Sequence, residues 1–154
     1  MPRSFLRPGS THIMTNRDQR GARHESPVDT ATRILIVDHD RRVSASLAFM
    51  LTARGYDEVK AVRSAARALV LAESFRPAIV FLDIEMPEAA SLDLAVQLRR
   101  RANQHSIRLI ALTTTVEHGP REEARDAGFE RYFVKPLTQV ELDKVLRRPA
   151  DAAV

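Results

Sequence analysis

The chain has no cysteine and no tryptophan, and only three lysines, five glycines and two tyrosines in 154 residues. Without cysteine there can be no disulfide, no thiolate nucleophile and no cysteine-ligated zinc. No apolar run approaches the ~20 residues that span a bilayer, and the N-terminus lacks the apolar core of a secretory signal. The expectation is a cytoplasmic protein with no membrane contact. Neither sign of charge dominates: 24 basic against 20 acidic residues give a net +4, nearly all the positive charge being arginine. That suits a mildly basic soluble surface and does not by itself argue for nucleic acid. What is present is 44% apolar residues, enough for a core, in a length that holds one ordinary domain and leaves no room for a second.

Residues 1–32 are rich in Arg, Ser, Thr, Pro and Gly, with scattered apolar residues (Phe5, Leu6, Ile13, Met14, Val28) that hold no period of 2 or 3.6. They read as a disordered Arg-rich N-terminal arm, its five arginines offset by Asp18, Glu25 and Asp29. From residue 33 onward, short apolar runs alternate with amphipathic stretches. Strands are expected at 33–37, 58–62, 79–83, 107–112 and 131–134. Helices are expected at about 40–54, 64–75, 91–102, 119–127 and 138–148. Gly55 is placed to stop the first helix, Ser64 to cap the second, and Thr138 with Glu141 to form a capping box on the last. Val43, Leu47, Met50 and Leu51 fall on one face of the first helix, the second runs through Leu69, Val70 and Leu71, the third puts Leu94, Val96 and Leu98 into its apolar stripe, and Val140, Leu142, Val145 and Leu146 are the apolar residues of the last. The Arg99-Arg100-Arg101 run suits the carboxyl end of a helix dipole. Residues 149–154 read as a flexible tail. Five strand–helix units in strict alternation, with short connections and right-handed crossovers, give an α/β doubly wound parallel sheet with helices on both faces.

The stretch Ile-Val-Phe-Leu-Asp-Ile-Glu-Met-Pro at 79–87 organises the rest. Ile79 to Leu82 is continuously apolar, the pattern of a strand buried on both faces; Asp83 follows where that strand ends, and Pro87 bars further pairing. Three other strands also end in polar chemistry: Asp38, Thr113 and Lys135. In a parallel sheet all four fall on the carboxyl edge, where open α/β sheets place ligands. An aspartate can attack a phosphoryl group if the charge on the phosphoryl oxygens is neutralised. A hard divalent cation held by carboxylates, usually Mg²⁺, supplies part of that neutralisation, a lysine ammonium supplies more, and a threonine hydroxyl can bond one oxygen. The plain structural alternatives are a loop-capping aspartate at 83, an Asp83–Lys135 pair that ties two loops, and a capping hydroxyl at Thr113.

The motifs Ile-Leu-Ile-Val-Asp, Leu-Asp-Ile-Glu-Met-Pro, Ile-Ala-Leu-Thr and Val-Lys-Pro, with separations of 45, 30 and 22 residues between Asp38, Asp83, Thr113 and Lys135, resemble the receiver domain of two-component response regulators. The resemblance covers residues 33–148 and is closest in kind to the stand-alone, chemotaxis-regulator-like receivers. It implies the flavodoxin-like fold, a five-stranded (βα)₅ sheet of order 2-1-3-4-5. It makes Asp83 the phosphoacceptor, with Lys135 and Thr113 contacting the phosphoryl group and Thr113 and Tyr132 acting as the switch pair. It places Pro136 in a cis Lys-Pro bond. It assigns Mg²⁺ to Asp38, Asp83 and the backbone carbonyl of Glu85. The implied partner is a sensor histidine kinase or a histidine phosphotransfer protein, and signalling is by phosphorylation-dependent protein binding. No DNA-binding output domain and no enzymatic output is expected, since six residues follow the last helix.

Three positions depart from the family pattern. His39 stands where a second acid usually ligates the metal, and imidazole is a poor ligand for Mg²⁺, so either His39 or the following Asp40 is left to complete the set. His39 is otherwise a polar residue at a helix start. Glu85 could bring a compensating carboxylate, whose charge would also repel an incoming phosphoryl group. Ser91 replaces the usual glycine of the loop after Met86, and Thr114 and Thr115 follow the switch threonine where small residues are common, so their hydroxyls could rewire the site. A pseudo-receiver, binding partners without phosphorylation because its pocket has decayed at His39, is therefore the alternative function. His105 and His118 read as surface residues, and His12 and His24 belong to the arm. The arm has no aromatic interleaving and little net charge, which argues against a nucleic-acid adaptor.

Overall fold

A computed structural model describes residues 31–86, 91–102, 106–115 and 121–147. The expectations for the arm up to residue 30, for Pro87, for the four histidines at 12, 24, 105 and 118 and for the 149–154 tail lie outside the described residues. Five strands, β1 Ile34–Val37, β2 Val59–Val62, β3 Ile79–Asp83, β4 Arg108–Thr113 and β5 Phe129–Val134, form one parallel sheet in the order β2-β1-β3-β4-β5. The five helices are α1 Arg41–Ala53, α2 Ala65–Phe75, α3 Ser91–Arg101, α4 Arg121–Asp126 and α5 Gln139–Leu146. This is the doubly wound architecture that the alternation of elements implies.

Strand composition follows position in the sheet. β1 and β3 are buried at every residue, as befits central strands with helices on both faces, and their sequences are unbroken apolar runs up to Asp83. β2, at the edge, is exposed at Lys60 and Ala61. Side chains alternate across the sheet and so divide the core in two. Ile34, Ile36, Ile79, Phe81, Ile110 and Leu112 point to one face, under Leu47 and Leu51 of α1 and Leu142 and Val145 of α5. Leu35, Val37, Val80, Leu82, Leu109 and Ala111 point to the other, under Ala68, Ala72 and Phe75 of α2, Leu94, Ala95 and Leu98 of α3 and Ala124 between Arg121 and Asp126.

The helix ends behave as their sequences dictate. Asp40 caps α1, accepting from the N–H groups of Arg42 and Val43; Ser64 caps α2; and the Thr138–Glu141 capping box closes at both contacts. Gly55, at φ +91°, follows α1 in the left-handed region where a side chain would be strained. Two expectations need correction, at β5 and α3, and two helix faces, those of α2 and α5, are decided by the structure. β5 starts at Phe129, two residues before 131, because a register shift between Leu109 and Ile110 lets a longer strand pair. In α2 the buried face is Ala68, Ala72 and Phe75, while Val70 is 72% exposed. In α3 Ala95, not Val96, joins Leu94 and Leu98 in full burial. Val140 of α5 is 64% exposed, because Leu142 and Val145 pack inward and residue 140 lies on the opposite side of the helix.

Candidate functional site

Sheet register alone brings the polar strand ends together. Val37 pairs with Leu82, so the residues that follow, Asp38 and Asp83, stand side by side at the carboxyl edge. Asp83 is itself opposite Leu112, which puts Thr113 one step beyond on the other side. The Lys135 N–H donates to the Thr113 carbonyl at 2.7 Å and so carries the lysine to the same edge. Asp38, Asp83 and Thr113 are all buried.

The four carboxylate oxygens of the two aspartates all have donors. Asp38 Oδ1 accepts the N–H of Asp40 at 2.8 Å, and Asp83 Oδ1 accepts the N–H of Glu85 at 2.8 Å. The Lys135 ammonium, its side chain only 5% exposed, lies 3.1 Å from Asp38 Oδ2 and 3.4 Å from Asp83 Oδ2. His39 Nδ1 approaches Asp83 Oδ2 to 2.6 Å, and since a carboxylate oxygen only accepts, that nitrogen carries the hydrogen. The half-exposed imidazole thereby roofs an Asp83 carboxylate with no exposed surface.

On the far side of Asp83, Glu85 turns toward the end of β4. Its Oε1 accepts from the Thr113 hydroxyl at 2.7 Å and the Thr115 hydroxyl at 3.2 Å. Its Oε2 accepts from the Thr114 N–H at 2.8 Å and the Thr114 hydroxyl at 2.5 Å. Burial alone would raise the carboxyl pKa, but the bonds from Thr114, Thr113 and Thr115 outweigh it and bring the value down to about 2.

The structure thus gathers Asp38, His39, Asp83, Glu85, Thr113 and Lys135, and it corrects several sequence expectations. Asp40 does not reach the pocket: its carboxylate caps α1, and the N–H of Arg42 holds its pKa low. His39 precedes the helix and bonds Asp83, so it is a member of the site and not a helix-start residue. The Glu85 carboxylate offers nothing to a metal beside Asp38, because it is bound by the three threonines. Ser91, the first residue of α3, donates its hydroxyl to the Asp83 carbonyl at 3.1 Å and is fully buried; among the described non-glycine residues only Arg76 has positive φ, so the serine is not strained. Tyr132 is half-buried against the core cluster that lies under α2 and α3. The Lys135–Pro136 peptide bond is cis, as the resemblance implies. Sequence reasoning missed the His39–Asp83 bond and the clasp on Glu85, although the three successive threonines opposite a glutamate were its visible signal.

Ligand atoms of Asp38, His39 and Asp83 lie within 4.8 Å of one another. Two buried carboxylates facing a single ammonium fit a hard divalent cation in donor type and charge. His39 fits it poorly, since an imidazole nitrogen is a weak ligand for a hard cation that prefers oxygen.

A family model for the response regulator receiver domain matches residues 34–147, and the chain belongs to that family. Among curated relatives it is 32% identical over 106 residues to the transcriptional regulatory protein PdtaR of Mycobacterium tuberculosis, covering 69% of this chain and 50% of that one. It is 29% identical over 105 residues to the polar-differentiation response regulator DivK of Brucella anthropi, covering 68% of this chain and 85% of that one. The chain therefore spans half the length of the first relative and most of the second. Among solved structures it is 28% identical, with a TM-score of 0.66 over 75% of this chain and 93% of the other, to the receiver domain of a sensor histidine kinase from Pseudomonas aeruginosa with a magnesium ion in its active-site cleft. No helix among the described residues is long and apolar enough to cross a membrane.

Proposed function

We propose that this receiver accepts a phosphoryl group on Asp83 from the phosphohistidine of a sensor histidine kinase or a histidine phosphotransfer protein, and that it signals by phosphorylation-dependent protein binding in the cytoplasm. The observation that carries this reading is the Asp83 carboxylate at the carboxyl edge with Lys135 Nζ 3.4 Å away and Asp38 alongside. In the transfer, an Asp83 oxygen forms a bond to phosphorus as the phosphorus–nitrogen bond of the donor breaks, and the leaving imidazole nitrogen keeps the electron pair and takes a proton. The Lys135 ammonium faces the developing charge on the phosphoryl oxygens. The Thr113 hydroxyl turns toward one phosphoryl oxygen, and Tyr132 follows it from its half-buried place on β5, altering the surface a target protein reads. Asp38, Asp83 and the Glu85 carbonyl would hold Mg²⁺, which when bound neutralises phosphoryl charge. His39 must swing off Asp83 before a phosphoryl group can approach. Beyond self-phosphorylation and hydrolysis of the product, we assign the protein no enzymatic turnover.

Incubation with phosphoramidate or acetyl phosphate and Mg²⁺, read by intact mass, tests this. We expect a phosphate-sized gain that requires Mg²⁺ and is lost in Asp83→Asn. The contact of 2.6 Å between His39 and Asp83 favours a second reading, a pseudo-receiver that binds its partners constitutively. No mass gain, even at high Mg²⁺ or with Mn²⁺, would decide for it.

A further inference from the structure

The end of β4 presents a set of donors that converge on one anion. The Thr113, Thr114 and Thr115 hydroxyls and the Thr114 N–H all point at the two oxygens of Glu85, at 2.5 to 3.2 Å. The same residue is tied at its other end, since the Glu85 N–H donates to Asp83 Oδ1 at 2.8 Å. Glu85 therefore bridges the acceptor carboxylate and the hydroxyl that is to sense its phosphorylation. A threonine hydroxyl has one hydrogen to donate. While the Thr113 hydrogen lies on Glu85 Oε1, it cannot lie on a phosphoryl oxygen, so the two bonds exclude each other. A phosphoryl group arriving at Asp83 would also bring negative charge next to the Glu85 carboxylate, and like charges repel.

We propose that the Glu85 carboxylate is the built-in occupant of the donor subsite at 113–115, a positioning residue that holds the Thr113 hydroxyl until a phosphoryl group on Asp83 displaces it. The competitor is part of the chain, at a fixed high effective concentration, and it sets how readily phosphorylation moves the switch. Four charge-assisted bonds also keep the segment ordered before any phosphoryl group arrives. The inference deepens the phosphoacceptor reading and rests on it for the identity of the displacing anion.

Two measurements separate the subsite from the phosphorylation. The first is amide hydrogen exchange by NMR on the unphosphorylated full chain, comparing wild type with Glu85→Gln and Glu85→Ala. Loss of the charged acceptor should speed exchange at the Thr114 amide by roughly tenfold, the effect of one lost hydrogen bond to a charged group, with the β1 and β3 amides unchanged as the control for folding. Thr114→Val, which keeps the N–H and deletes a hydroxyl, should speed exchange at that amide less. The second is the phosphorylated fraction at a fixed time with phosphoramidate and Mg²⁺, expected to be severalfold higher in both Glu85 variants than in wild type. A residue with a merely structural role would lower that fraction or leave it alone.

Unchanged Thr114 exchange in both Glu85 variants would overturn the subsite, whatever the phosphorylation shows. Faster exchange with an equal or smaller phosphorylated fraction would overturn the competition. No phosphorylation in any variant, together with faster exchange, would sink the phosphoacceptor reading and the displacement with it, leaving Glu85 as a fixed clasp.

Discussion

At position 39 an imidazole occupies ground that the receiver pattern gives to an acid. Its Nδ1 lies 2.6 Å from Asp83 Oδ2 and 3.8 Å from Asp38 Oδ1. It therefore caps the pair of aspartates from the solvent side while Lys135 approaches from within. The exchange of a carboxylate for an imidazole removes an oxygen donor and one negative charge from a site that suits a hard cation. His39→Asp should therefore raise Mg²⁺ affinity by about tenfold or more, the scale on which ligand-shell changes act. Isothermal titration of the two proteins with MgCl₂ measures it, and equal affinities would mean that residue 39 takes no part in cation binding. Glu85 shows the same principle from the other side. Its charge was open to the metal or to the phosphoryl group, and three neighbouring hydroxyls decided the matter by claiming both oxygens.

Elements β4, β5 and α5 are fastened below the site by one arginine. Arg108 Nε and Nη2 donate to the two Glu130 oxygens at 2.8 and 2.7 Å, and Nη2 also donates to the Val145 carbonyl near the end of α5 at 2.7 Å. The hydrogen bonds from Arg108 hold the Glu130 pKa below its usual 4.5. A depressed carboxyl pKa contributes stability that is present above the unfolded-state value and lost as pH falls through the folded-state value. Glu130→Gln should thus cost about 1 kcal/mol at pH 7, a part-exposed bidentate pair being worth little more. The deficit should shrink as pH drops below 4.5, where the unfolded-state carboxylate takes up its proton, and should be gone once pH has fallen through the lower folded-state value. Urea denaturation of both proteins at pH 7 and pH 3 checks it; a deficit that stays constant with pH would rule out the ion pair as its source. Register matters at this scale as well. The shift between Leu109 and Ile110 was invisible in a sequence whose apolar residues continue without interruption, and it moves the start of β5 back to Phe129.

Across the whole molecule, the sheet separates two apolar layers, and the site sits where β1, β3 and β4 end between them. The central strands are buried throughout, whereas β2 is half-exposed and α4 is a helix of six residues at the margin. Local opening should follow that gradient. Native-state hydrogen exchange is expected to be slowest in β1, β3 and β4 and faster in β2 and α4, with Val80 to Leu82 exchanging only through global unfolding. Slow exchange in α4 to match β3 would contradict this ordering. The strands that carry Asp38, Asp83 and Thr113 would then be the most rigid of the described residues.

The order of the elements, the parallel sheet, the caps at Ser64 and Thr138, and the alignment of Asp38, Asp83, Thr113 and Lys135 on one edge all follow from local rules. Apolar runs, capping residues and the period-2 pleat act within a few residues, so they can be read along the chain. Helix phase was legible only in part. Val70 and Val140 carry the right chemistry for the core yet face solvent, because rotation about a helix axis is chosen by the best packing of all its neighbours together. The site divided in the same way. Which residues meet was set by strand ends, but what each side chain binds was set by competition among groups far apart in sequence. His39 bonds a carboxylate 44 residues away, and Glu85 bonds hydroxyls 28 to 30 residues away. Only the tertiary fold brings such partners within hydrogen-bonding distance, and only there do burial and geometry decide between them.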